Sequence, residues 1–409
     1  MKIGLVVIGD ELLKGETQDR NLFWIGKYLR SIGHRLSETV IIPDTLKEIS
    51  TTLSKFHESY DLTIVSGGLG PTKDDRTKQA LSLFSGELKE SSEAAELVKK
   101  HYDRRGLTWH PERNHYHFIP ENISPVHNPV GLAPGLYSHQ NGRHLLCAPG
   151  VPREFEKMIP EFMEEKLSHL LARKTDYVYI KTAGVPEERI FGEISPNLWS
   201  ELEQFGEVSS YPRWTGIDIL VDGLDPSRLN ELTSIEALER LSPYTWHIGK
   251  LELHEMLVKK LMELNQTVAT AESCTGGLLA SFLTDVSGSS NVFMGSVVSY
   301  SNDIKMDELG VSPELIENHG AVSAEVAEAM AIGARKKFDV DYAMSTSGIA
   351  GPNGGTKDKP VGTVAIGLAT PEGSTSKIYH LPDLGRLENK KRFAVRAMFS
   401  LVKAINKIS

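Results

Sequence analysis

The chain has 409 residues, with 45 Lys plus Arg against 54 Asp plus Glu, a formal charge of −9. Its 40% hydrophobic and 24% charged content is that of a globular protein with room for two or three domains, which excludes wholesale disorder. The acidic balance argues against a general nucleic-acid binder, which needs a basic face, while leaving room for a local basic pocket.

Lys2 to Ile8 reads as a buried first strand that meets Asp10 and Glu11, and it is too short for a signal peptide. No apolar segment approaches the roughly 20 residues that span a bilayer. Two cysteines, Cys147 and Cys274, are too few for a disulfide scaffold or a zinc cluster. Together these predict a cytoplasmic protein with no membrane partner. Asn21 to Arg30 carries Leu22, Ile25 and Leu29 at helical spacing. β-Rich runs follow at Glu38 to Ile42 and Leu62 to Ser66, then a helix from near Arg76 to Phe84. Arg143 to Ala148 is a further strand, and Pro152 introduces a helix from Arg153 to about Leu171. Strands alternating with helices predict an α/β domain over residues 1–172, a parallel or mixed sheet with helices on both faces. Such sheets bind ligands beyond the carboxyl ends of their strands.

Residues 173–250 read as a small α+β unit, a spacer or dimerisation module. It has strands at Asp176 to Thr182 and Gly216 to Val221, and helices at Pro186 to Ile194 and Pro226 to Leu241. Residues 251–409 return to an α/β pattern. A helix at Glu255 to Leu264 precedes strands at Thr267 to Ala271 and Val297 to Tyr300. A helix at Ala324 to Lys336 and strands at Asp341 to Ser345 and Gly362 to Ala369 follow, and Thr356 to Pro360 is a mobile-loop candidate.

Two constellations carry chemistry. Gly67, Gly68 and Gly70 lie in Ser66-Gly-Gly-Leu-Gly-Pro-Thr72, between a strand and a helix. Glycines there let the backbone approach a ligand, and the helix start favours an anion. Asp74 and Asp75 come next, and carboxylates beside a phosphate loop make sense with a bound cation. Asp10, Glu11 and Asp44 end other strands and can converge on the same crevice. The plainer reading is a tight turn with acidic residues at a helix start. His115 and His117 would share one face of a strand and suit a metal, although such histidines are more often fillers.

The second constellation is Ala271-Glu272-Ser273-Cys274-Thr275-Gly276-Gly277, a strand-to-helix turn holding two candidate nucleophiles. Backbone N–H groups around Thr275, Gly276 and Gly277 can stabilise an oxyanion. A serine needs a base, and no histidine sits in a comparable motif; His319 precedes Gly320 as a turn residue. A buried lysine can serve instead, and Tyr300-Ser-Asn-Asp-Ile-Lys305 offers a lysine with a phenol. A second Gly-rich loop, with Ser347, Gly348 and Gly351, is a candidate cradle for phosphate and ribose.

GDELLKGETQDRN (Gly9 to Asn21), SGGLGPTKDD (Ser66 to Asp75), NPVGLAPG (Asn128 to Gly135) and APGVPREF (Ala148 to Phe155) occur in this order. They resemble the molybdopterin-binding-like domain of the competence/damage-inducible protein A family. AESCTGG, YSNDIK, HGAVS (His319 to Ser323), SGIAGPNGG (Ser347 to Gly355) and KPVGTV (Lys359 to Val364) resemble the same family's C-terminal nicotinamide mononucleotide deamidase domain. The resemblance implies ADP-ribose pyrophosphatase activity in the first domain. Asp44 and Asp75 would be catalytic there, and Glu11, Asp44, Asp74 and Asp75 would hold Mg2+, Mn2+ or Co2+. The sequence departs from the family at Leu132, where a threonine is usual, and at Asn114-His-Tyr-His117 in place of NxxQ.

In the last domain the resemblance implies Ser273 as nucleophile, assisted by Tyr300 and Lys305, with no metal or other cofactor. Cys274 ranks second as nucleophile, on the intrinsic reactivity of thiols. The implied substrates are nicotinamide mononucleotide and ADP-ribose, both from NAD breakdown. A homodimer is expected by base rate. A molybdopterin-binding or cofactor-assembly protein is the alternative, and a DNA-uptake accessory is disfavoured by the charge.

Overall fold

The computed structural model describes residues 1–170 and 176–408. The expected domain boundary at 172/173 lies outside the described residues. The chain forms two compact units, Met1–Asp176 and Tyr177–Ser409.

The first unit is built on strands β1 (Ile3–Ile8), β2 (Leu36–Ile42) and β3 (Leu62–Ser66), a short β4 (Leu88–Glu90) paired with β5 (Phe118–Pro120), and β6 (Ser124–Val126), β7 (Gly135–Gln140) and β8 (Arg143–Ala148). The main sheet has the order β2-β1-β3-β8-β7-β6. β1 pairs in parallel with β2 and β3, and β3 with β8, whereas β7 runs antiparallel to its neighbours. The apolar run of β1 is buried throughout because both faces are covered. Its odd residues Ile3, Leu5 and Val7 pack with Ile25, Leu29, Phe155 and Ile159. Its even residues Val6 and Ile8 pack with Ile49, Leu53, Phe56 and Leu81 on the other side. β2 and β3 flank β1, so the order of travel reverses there. The loops leaving β1 and β3 therefore open a crevice at the carboxyl edge.

The second unit begins with a small sheet, β9 (Asp176–Thr182), β10 (Glu207–Pro212), β11 (Ile217–Leu224) and β12 (Thr245–Ile248), in the order β10-β11-β9-β12. The helices expected at Pro186 to Ile194 and Pro226 to Leu241 are broken. The first is one helical turn, Glu187–Arg189, running into a wider turn, Ile190–Ile194. The second is split at Ser234 and Ile235, where Ile235 is extended. Pro226 starts a turn capped by Asp225, and the apolar spacing continues across the breaks, which is why it read as one helix.

The last sheet holds β13 (Val268–Glu272), β14 (Phe293–Val298), β15 (Tyr342–Gly348), β16 (Thr363–Thr370) and β17 (Gly373–His380), ordered β14-β13-β15-β16-β17. β13 runs parallel to β14 and β15, and β16 and β17 complete the sheet as an antiparallel pair. The helix Ala324–Phe338 covers one face through Val326, Met330 and Ala334. The helices Leu253–Leu264, Leu278–Thr284 and Arg386–Ile408 cover the other. The helix after the Ala271–Gly277 turn begins at Leu278, because Gly276 and Gly277 take positive φ of 61° and 90°. Among the described residues, no helix is long and apolar enough to cross a membrane.

Candidate functional site

Three loops converge at the carboxyl edge of the first sheet. Asn21, buried, donates from Nδ2 to Ser66 Oγ at 2.8 Å and to the Gly150 carbonyl at 2.9 Å. This one side chain ties the loop after β1 to those after β3 and β8. Gly67 sits at φ +110°, and a β-carbon there would stand 2.5 Å from the Ile8 carbonyl, so only glycine fits. Asn128 donates to Glu154 at 2.7 Å and to the Ala133 carbonyl at 2.8 Å, joining two further motifs.

The resulting cavity, about 680 Å³, is lined by Glu11, Asp44, Gly67, Gly68, Gly70, Asp74 and Asp75, as the sequence leads one to expect. The carboxylates do not gather. Asp75 accepts from the Gly70 amide at 2.7 Å and, through its other oxygen, from the Thr72 amide at 2.9 Å. Asp44 accepts from the Asp10 amide at 2.8 Å. Asp74 is exposed, and the Thr72 hydroxyl beside it holds its carboxyl below the ordinary range. Among the described residues, no three acidic, histidine or cysteine side chains come together to hold an ion. The expected metal set Glu11, Asp44, Asp74 and Asp75 therefore does not fit a resident cation, because Asp75 is spent pinning its own loop.

The histidine pair follows the plainer reading, that of fillers. His115 is a left-handed residue ending a short helix, and His117 is buried against Trp109 and Phe118, so neither lies on a strand facing a ligand. Sequence reading missed Arg105 and Tyr116, which line the cavity, and Lys78 behind Tyr116. Burial holds the Lys78 amine down to about 8.

In the last domain the turn after β13 is fixed from both sides. Ser273 donates its amide to the Thr346 carbonyl at 2.9 Å, and Thr275 shares a 2.7 Å hydroxyl pair with Thr346. Glu272, fully buried, accepts from the Leu279 and Ala280 amides at 3.0 and 2.7 Å and so caps the next helix. Lys305 comes in from the helix Asn302–Leu309, which Ser301 caps. Its Nζ stands 3.3 Å from Ser273 Oγ, 2.8 Å from the Ser299 carbonyl and 3.4 Å from the Ser301 carbonyl. Lys305 is 1% exposed, and burial pushes its amine below the usual lysine range. No carboxylate pairs with it among the described residues. A neutral amine has two N–H donors and one lone pair. As placed, Nζ donates to Ser273 Oγ; with the amine neutral, the two carbonyls would take its donors and leave the lone pair for the Ser273 hydroxyl.

Five expectations are corrected here. The Gly276 amide is spent on the Ser273 carbonyl at 3.2 Å, which leaves the Thr275 and Gly277 amides without a partner among the described residues. The Ser347 hydroxyl is turned away to the Ala321 carbonyl at 2.6 Å, so it is no phosphate cradle. Gly348 is tucked against β16, where a β-carbon would stand 2.7 Å from the Thr363 carbonyl. Tyr300 is 64% exposed, and its hydroxyl accepts from Arg386 at 3.1 Å; it makes no hydrogen bond to Ser273 or Lys305. Cys274 is buried in the core, and burial pushes its thiol up to about 12, which removes it as a nucleophile at neutral pH.

Arg386 was invisible in the sequence. It opens the last helix, bridges Tyr300 and donates to the Gly351 carbonyl at 2.6 Å. Lys390, one turn on, points at Gly276. Arg386→Ala is expected to raise the KM of a phosphorylated substrate about 10- to 100-fold with kcat changed far less, the pattern for lost ground-state binding. Steady-state kinetics check it.

These features define a two-unit α/β protein with a crevice of molybdopterin-binding type and a Ser–Lys pair. A family model described as "Probable molybdopterin binding domain" matches residues 4–169, and one described as "CinA C-terminal domain" matches residues 250–405. The chain is 35% identical over 387 residues to a "CinA-like protein" of Fervidobacterium nodosum, covering 92% of each. It is 36% identical over 377 residues to a "Putative competence-damage inducible protein" of Alkaliphilus metalliredigens, covering 90% of each. Among solved structures, the competence/damage inducible protein of Agrobacterium tumefaciens matches at 38% identity and a TM-score of 0.36, over 38% of this chain and 97% of that one. The chain belongs to the CinA-like family.

Proposed function

We propose that the last domain hydrolyses the carboxamide of nicotinamide mononucleotide, releasing ammonia and nicotinic acid mononucleotide. The observation that carries the reading is the buried, unpaired Lys305 amine 3.3 Å from Ser273 Oγ. Neutral Lys305 takes the Ser273 proton as Oγ bonds to the amide carbon. The Thr275 and Gly277 amides face the developing oxyanion. Lys305 returns the proton to the leaving nitrogen, the C–N bond breaks, and ammonia departs from an acyl-serine. Water then gives a proton to Lys305 and its hydroxide to the acyl carbon, which releases the acid and restores Ser273. Arg386 and Lys390 would hold the phosphate, and Tyr300 would orient through Arg386. No step needs a metal. Ammonia release from nicotinamide mononucleotide in a chelator tests the proposal; no turnover by the wild-type chain would end it.

We further propose that the first unit cleaves the diphosphate of ADP-ribose to AMP and ribose 5-phosphate. Arg105 and the Gly68 amide would supply the anion site, since the Gly67 and Gly70 amides are held by the Ala148 carbonyl and by Asp75, and Mg2+, Mn2+ or Co2+ would enter as the substrate's own complex. Asp75→Ala frees the Gly70 and Thr72 amides it holds and is expected to lower AMP formation about 10- to 100-fold, read by chromatography. Tight pterin binding without ADP-ribose turnover would favour a molybdopterin carrier instead. A cytoplasmic homodimer acting in pyridine-nucleotide salvage completes the proposal.

A further inference from the structure

The hairpin joining β10 and β11 reaches the last helix, and between them lies a cavity of about 640 Å³, within the range of small-molecule sites. Its charged lining is Arg213, Arg392 and Arg396, with no acidic residue, in a chain of net charge −9. Arg392 and Arg396 are four residues apart on one helix, where like charges repel. Neither has a carboxylate partner among the described residues. Arg392 donates to the Pro382 carbonyl, and Arg396 lies over the Tyr379 ring. Burial and Arg396 together push the Arg392 guanidinium below its ordinary range. Arg213 stands 3.6 Å from Asp218, whose other oxygen is buried without a partner. Trp214, at the hairpin tip, lines the same cavity and is 48% exposed, with Lys391 over its ring at 5.1 Å. The walls are otherwise apolar, with Leu381 and Phe399 among them.

We propose that this cavity is a second ligand site, one that takes a nucleoside monophosphate. The phosphate bridges Arg392 and Arg396, relieving their mutual repulsion through forked hydrogen bonds. The base lies against Trp214. Ser273, Tyr300 and Lys305 are not among its lining residues, and the site does not depend on the reaction assigned to them. Its floor is the helix whose first turn carries Arg386, so occupancy orders the element that completes the catalytic pocket.

The test is calorimetric titration of the full chain with AMP, with adenosine and inorganic phosphate as separate probes. The expected result is a saturable AMP site weakened at least tenfold by Arg396→Gln and by Trp214→Ala and unchanged by Asp75→Ala, with adenosine and phosphate each at least tenfold weaker. Arg396→Lys keeps the charge but not the fork, and intermediate affinity is expected for it. Unfolding midpoints of all variants near that of wild type show that the loss is local. Equal AMP binding by wild type and the folded Arg396→Gln and Arg396→Lys variants overturns the proposal. Phosphate binding as tightly as AMP overturns the role of Trp214. A short single-stranded oligonucleotide displacing AMP at lower concentration overturns the small-molecule assignment.

Discussion

Ser273→Ala is expected to abolish ammonia release from nicotinamide mononucleotide, by about four orders of magnitude or more, while Cys274→Ala keeps most of it. The two side chains are adjacent in sequence and opposite in environment. Ser273 Oγ stands 3.3 Å from the Lys305 amine, at a turn whose Thr275 and Gly277 amides have no partner among the described residues. Cys274 packs in the core with Leu279, Met344 and Phe393, and burial pushes its thiol up to about 12. Less than about one part in ten thousand would be thiolate at pH 7, so its greater intrinsic nucleophilicity has nothing to act through. Removing the sulfur costs packing, about 1 kcal/mol for a small buried group, and this shows in the unfolding midpoint rather than in kcat. A dead Cys274→Ala with a live Ser273→Ala reverses the nucleophile assignment.

Lys305→Met is expected to lower kcat about 100- to 10,000-fold, the usual worth of a general base. It is also expected to change how stability responds to pH. The lysine is forced below its ordinary 10.5 in the folded chain but not in the unfolded one. Below 10.5 the unfolded chain takes up this proton first, so wild type loses stability as pH falls from 10.5 to the folded value and is level beneath it. Methionine carries no such proton. The difference in unfolding free energy, wild type minus variant, therefore becomes more negative across that window as pH falls. The rate runs the same way: turnover rises with pH through the folded value, because only the neutral amine accepts the Ser273 proton. A flat pH–rate profile with an unchanged stability difference would remove Lys305 from the proton path.

Much of this was legible because it is local. β3 and β8 run over Leu62–Ser66 and Arg143–Ala148 as read, since buried parallel strands are short apolar runs bounded by turn residues. Ser273, Lys305 and the Gly67–Gly70 loop were found because glycine and hydroxyl residues cluster where a strand turns into a helix. What stayed hidden depends on contacts distant in sequence. Arg386 meets Tyr300 across 86 residues, and Asn21 meets Gly150 across 129. Neither side chain looks unusual among its neighbours. β17 was missed because, at the sheet edge, it alternates exposed and half-buried residues and lacks an apolar run. The carboxylates Asp44 and Asp75 were placed correctly at the crevice, but sequence could not show that Asp75 spends both oxygens on its own loop.

The last helix, Arg386–Ile408, contributes Phe393, Ala397, Met398 and Leu401 to the core beneath the sheet, besides Arg386 at its tip. Ser273 and Lys305 are synthesised before the helix Arg386–Ile408, and domains generally fold as units. Translation that stops short of residue 386 leaves the nucleophile and its base on a scaffold whose apolar cover on one face is incomplete, with only the helices Leu253–Leu264 and Leu278–Thr284 in place there. Such fragments are marked for proteolysis by the same omission that leaves the pocket unfinished, so one helix governs both the survival of the domain and the competence of its site.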